Sequence, residues 1–126
     1  MHYNLIQGIV YNHIMNEKSQ EIVKRIKLAT HFWEKDITSK KMFGGTCFLY
    51  RGKMCVGELR HKLMVRVVEA KMPKALKTLY VSPMDFTGKP MKEFIFVSEK
   101  GFDTEEKLQH WIELGIEHAK LKSNNN

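Results

Sequence analysis

Apolar residues between Glu17 and about Lys35 recur at helical spacing: Ile22, Ile26, Ala29 and Trp33, with Val23 and Phe32 widening the stripe. The spacing predicts an amphipathic helix packed on a core, with Asn16 or Ser19 as N-cap. DITSKK (36–41) breaks that period, and alternation follows. Phe43–Tyr50 and Lys53–Leu59 flank Arg51-Gly52, a hairpin signal. Beyond a turn at Arg60-His61, Leu63, Val65 and Val67 point one way and Lys62, Met64 and Arg66 the other, as in a half-buried strand. These three segments predict a β-meander.

A shorter helix is expected over Glu69–Leu79, where Pro73 is tolerated only in the first turn. Tyr80–Phe86 and Met91–Val97 then read as a second strand pair around a turn at Thr87–Pro90. Asp103, with Glu106 three residues on, matches a capping box that opens the last helix. Leu108, Trp111, Ile112, Gly115, Ile116 and Ala119 form its apolar face. The predicted order is α-β-β-β-α-β-β-α, an α+β domain with helices on an antiparallel sheet. Residues 123–126 read as a frayed polar tail.

Composition narrows the class. A chain of 126 residues suits one domain, and 43% hydrophobic with 28% charged residues is ordinary for a globular protein. No apolar run approaches the ~18 residues of a membrane span, so no membrane partner is expected. Two cysteines and no secretory signal predict a reducing, cytoplasmic setting. Residues 1–14 carry no Lys, Arg, Asp or Glu, and Met15 opens a segment that looks like a natural start. They are expected to be an upstream extension that packs weakly or is disordered.

The net charge of +7 sits in the middle of the chain. Residues 37–98 hold twelve basic and four acidic side chains, whereas residues 99–126 hold four and six. Candidate contacts for a protein or nucleic-acid partner are Lys40, Lys41, Arg51, Lys53, Arg60, Lys62, Arg66, Lys89 and Lys92. The plainer reading of these residues is solvation and protection of strand edges. No RNP, zinc-finger or basic helix-turn-helix pattern accompanies them.

The motifs that usually carry chemistry are weak. Gly44-Gly45 starts a strand, and neither nucleotide-binding glycine spacing is present. A glycine pair there predicts a bulge or a close backbone approach. Cys47 and Cys55 lie on opposite faces if Arg51-Gly52 forms a two-residue loop, and face each other if the loop has three. Arginine is disfavoured at the positive φ of a type I′ turn, so both remain open. His110, Glu113 and Glu117 share a helix face opposite the apolar one and read as solvated surface; His31 and Glu34 read the same way. No catalytic residue, metal site or cofactor site is nominated, and the chain is expected not to be an enzyme.

Four motifs occur in order: MFGG (Met42–Gly45), F-x-x-x-G-K-M-C (Phe48–Cys55), LMVRV (Leu63–Val67) and MDFTGKPMK (Met84–Lys92). Together with a last helix centred on Trp111, they resemble the N-terminal domain of the TfoX/Sxy family over roughly Met15–Lys122. Glu93 stands where that family often has glycine, and Arg51-Gly52 where Asn-Gly is common. The resemblance implies a two-layer α/β sandwich similar to type III secretion chaperones, whose members commonly dimerise and bind proteins. It implies a regulatory or adaptor role through a protein partner, a link to transcription machinery and competence, and no established catalytic residues. The family's full-length regulators carry a second, helical domain, so the chain reads as a single-domain member. Direct nucleic-acid binding through the basic segment 37–98 is the alternative.

Overall fold

The structure, a computed structural model, describes residues 5–86 and 88–124, and only the backbone at 5–15, 86, 89, 90 and 124. Helix α1 spans Leu5–Ala29, so it takes in residues expected as an extension and places Asn16 and Ser19 in its interior. Ser19 caps nothing; its hydroxyl donates to Glu58 Oε2 at 2.9 Å. At Ala29 the α-helix gives way to a 3₁₀ turn over His31–Trp33, and the Thr30 hydroxyl donates back to the Ile26 carbonyl at 2.9 Å. The change of winding alters the phase of the apolar stripe. Trp33 still reaches the core, but Phe32 is 87% exposed instead of widening the buried face.

Six strands follow: β1 (Ile37–Met42), β2 (Gly45–Tyr50), β3 (Lys53–Leu59), β4 (Lys62–Arg66), β5 (Val81–Phe86) and β6 (Lys89–Val97). Between β4 and β5 lies the short helix α2 (Met72–Leu76), preceded by a 3₁₀ turn and carrying Pro73 in its first turn. Helix α3 spans Glu105–Asn124. The sheet order is β1-β2-β3-β4-β6-β5, antiparallel at every pairing. The α+β arrangement is the expected one, with β1 added where the sequence showed only a broken helical period. The last helix also starts differently. Thr104 Oγ1, not Asp103, accepts the Lys107 amide at 3.1 Å, while the Asp103 carboxylate pairs with Lys107 Nζ at 3.0 Å.

Tight turns set the register. Phe43-Gly44, Arg51-Gly52 and Arg60-His61 each have positive φ at both residues, the I′ geometry that matches strand twist. At Arg51 the unfavourable φ of 48° is offset by Asp36, whose carbonyl accepts the Arg51 amide at 2.8 Å and whose carboxylate accepts Nε at 2.9 Å. The loop therefore has two residues. A bulge then places Cys55 between the pairs Leu49↔Met54 and Phe48↔Val56, so Cys47 pairs with Gly57. Gly45 enters β2 where a Cβ would collide with the Glu58 carbonyl oxygen, the close approach that the glycine pair predicted.

Two apolar cores result, one on each face of the sheet. Among the described side chains, every buried hydrophobic residue of the helices, including Ile22, Ile26, Leu108, Trp111, Ile112 and Ile116, joins Phe48, Val56, Leu63, Val65, Ile95 and Val97 on one face. Cys47, Leu59, Met64, Met84 and Phe94 form the second core on the other face, flanked by Met42, Leu49, Met54, Met91 and Phe96. Of the chain's eight methionines, Met42, Met54, Met64, Met84 and Met91 therefore belong to the face that the described helices leave uncovered. Thioethers fill the irregular space left by a curved, bulged sheet without imposing one rotamer.

Candidate interaction surfaces

The eight basic candidates whose side chains are described do not converge on one site. Lys40 pairs with Cys47 in the ladder and so shares its helix-free face, while Lys62 Nζ lies 5.3 Å from the Phe96 ring and Arg66 Cζ 5.3 Å from the Phe94 ring on that same face. Lys41 turns to the helix side and donates to Thr46 Oγ1 at 3.0 Å. Arg51 is held by Asp36, and Lys53 pairs with Tyr50, a residue of the helix-side core. Arg60 is exposed in its turn, and Lys92 is exposed on β6. The Lys89 side chain lies outside the described residues.

The cysteines are apart. Cys55 belongs to the helix-side core and Cys47 to the opposite one, and neither forms a disulfide. Burial pushes the Cys55 thiol up to about 12, and its Sγ donates to the Phe48 carbonyl at 3.3 Å. Burial also raises Cys47, against the pull of Lys40. Protonated, buried thiols are poor nucleophiles and poor ligands. Among the described residues no group of three or more His, Cys, Asp or Glu side chains is placed to hold a metal ion.

Sequence reasoning missed a charged cluster at one end of the sheet. His118 on α3 is 4% exposed, and its Nε2 lies 3.2 Å from Glu93 Oε1 on β6. Glu93 Oε2 accepts from Arg66 Nε and Nη2 at 3.1 and 2.5 Å, and Lys122 Nζ stands 3.7 Å from Oε1. Burial, followed by the Arg66 charge, holds the imidazole below its ordinary range, while the Arg66 hydrogen bond is the main cause that lowers Glu93. His118 Nδ1 is buried and has no hydrogen-bond partner. Glu93 ties β4, β6 and α3 together.

A groove between the α2–β5 connection, the turn at Lys100-Gly101 and α3 was also missed. A cavity of about 680 Å³ is lined by Leu79, Tyr80, Gly101, Lys107, His110 and Trp111. Trp111 Nε1–H donates to the Gly101 carbonyl at 2.9 Å, which fixes the indole and leaves its apolar edge towards the groove. Leu79 is 72% exposed, Tyr80 43% and Leu76 39%. The α-helix stops at Leu76, and Tyr80 takes a φ of 70°, so the segment expected to finish a helix instead turns outward. Ser98 N–H donates to the Tyr80 carbonyl at 2.9 Å and holds it there. Those residues come from three separate stretches of sequence, which no local pattern connects.

Helices on one face of an antiparallel sheet and a methionine-rich core on the other define a class: an α+β domain with its helices layered on one side of the sheet. The TfoX N-terminal domain matches residues 28–119, and the chain belongs to that family. No curated protein matches the chain. Among the described residues no helix is long and apolar enough to cross a membrane.

Proposed function

We propose that the chain is a non-enzymatic regulatory or adaptor domain that acts by binding another protein. The observation that carries this reading is the pair of exposed apolar side chains, Leu79 and Tyr80, that line the groove over Trp111. Large apolar groups grouped around a concavity are a mark of interaction surfaces, whereas the same residues scattered singly would mean little. Membership of the TfoX N-terminal domain family supports a partner in the cytoplasmic transcription machinery and a link to competence. Chemical crosslinking and capture from native lysate test the reading. A protein other than the chain itself is the expected product; recovery of self-crosslinks alone under several growth conditions contradicts it.

One specific observation favours a second reading, direct nucleic-acid binding. Lys40, Lys62 and Arg66 share the helix-free face, two of them over aromatic rings. Affinity for duplex and single-stranded DNA, measured at two salt concentrations, decides it. A dissociation constant no tighter than ~10⁻⁴ M near physiological salt leaves only non-specific attraction.

A further inference from the structure

We infer that the groove between α2 and α3 docks an acidic segment of another protein, one that presents large apolar side chains. This rests on the protein-binding reading and adds the surface and the partner's chemistry. The cavity of about 680 Å³ continues into a second of about 190 Å³, since Thr78, His110 and Trp111 line both. Together they form a channel along α3 rather than an isolated pit. Trp111, 3% exposed with its indole N–H engaged by Gly101, lies at the base, so the apolar contact open to a partner comes mainly from Leu79 and Tyr80. The upper wall of the channel is Leu79, largely exposed and held outward by the constrained backbone at Tyr80. Such a wall fits an apolar side chain, not a phosphate.

The rim chooses among occupants. Lys71, Lys74, Lys100 and Lys107 line the two cavities, against Glu106 as the one lining carboxylate. Lys71 and Lys107 already pair with Glu117 and Asp103, at 2.9 and 3.0 Å. Lys74 and Lys100 make no ion pair among the described residues, and neither does nearby Lys77. A second copy docking through the same patch would set lysines against lysines, which costs affinity. Acidic side chains flanking apolar anchors satisfy both the floor and the rim.

Panning a random 16-residue peptide display library against the immobilised full chain tests this. The enriched peptides should carry net negative charge and large apolar residues, and should bind less tightly as salt rises. Binding should fall at least tenfold on Leu79→Asp and on the double change Lys74→Glu/Lys100→Glu. Leu79→Ala, with a urea midpoint close to wild type, serves as the control for folding and should weaken binding in the same direction. Neutral or basic winners, no enrichment, or peptides indifferent to these substitutions overturn the inference. So does a wild-type dimer in sedimentation that Leu79→Asp dissolves, because the occupant is then a second copy. A lysate partner that crosslinks equally to Leu79→Asp refutes this groove yet leaves the adaptor reading standing. If no partner crosslinks at all, the adaptor reading itself fails.

Discussion

At the scale of single residues, buried polar groups set the sensitivities of the domain. Glu58 is 4% exposed, and its Oε2 accepts from the Ser19 hydroxyl and the His61 amide, both at 2.9 Å. It thereby links α1 to the turn at Arg60-His61. Replacing Glu58 by Ala leaves both donors without that acceptor, and the expected loss of stability is about 1–3 kcal/mol by urea denaturation. His118 responds to pH instead. Its folded value lies below the ordinary 6.5, so the neutral ring is the form that the fold accommodates. The associated stability is complete above 6.5 and declines below it, where the unfolded chain takes up the proton first, until the folded value is passed. Glu93, lowered from 4.5, acts with the same sign at lower pH: its contribution is complete above 4.5 and is lost as pH falls through the folded value. Urea midpoints for wild type should drop from about pH 7 to about pH 5, and His118→Leu should flatten that stretch. Parallel profiles for the two proteins would show that His118 does not set it.

At the scale of elements, close packing of α3 on β3 is the feature most open to test. A Cβ at Gly115 would lie 2.5 Å from the Cys55 carbonyl oxygen and 2.7 Å from Val56 Cγ1. The bulge that sets Cys55 and Val56 on the same side brings the strand towards the helix, and glycine makes room. Gly115→Ala is expected to cost about 1–3 kcal/mol despite the better helix propensity of alanine, as measured by chemical denaturation. A neutral or stabilising effect would mean that the helix shifts freely on the sheet. The elements legible in the sequence were those with one wet and one dry face. The apolar face of α3 is as expected, because it packs against a single core; β4 alternates as expected, but its second face is not wet, since Met64 is buried in the opposite core. Strand β1 was illegible because Thr38, Ser39, Lys40 and Lys41 are all exposed, so an edge strand with little to bury shows no apolar period. Phe32 was misplaced because hydrophobicity alone does not reveal where α-winding becomes 3₁₀. The turn at Arg51 depended on a contact from Asp36, fifteen residues away, which local propensity does not contain.

At the scale of the molecule, the sheet separates two kinds of surface. Its helix-covered side holds the larger core and, at its margin, the Leu79–Trp111 groove; the other side holds methionines, two phenylalanines and basic side chains. The basic candidates were legible as residues but not as a site, since strand alternation and turns send them to different faces. The groove was legible only as fragments, because Leu79, Gly101 and Trp111 meet through the packing of the α2–β5 connection on α3. Binding by such a domain follows from apolar area offered to a partner and from charge that selects which partner stays.

The most direct measurement is lysine-directed crosslinking in native lysate, with the crosslinked residues mapped by mass spectrometry for wild type and Leu79→Asp. The account predicts crosslinks from a different protein to Lys74, Lys77 or Lys100, lost or reduced at least tenfold in the variant. Crosslinks only between copies of the chain, or foreign crosslinks spread over the surface and unchanged by Leu79→Asp, would contradict it.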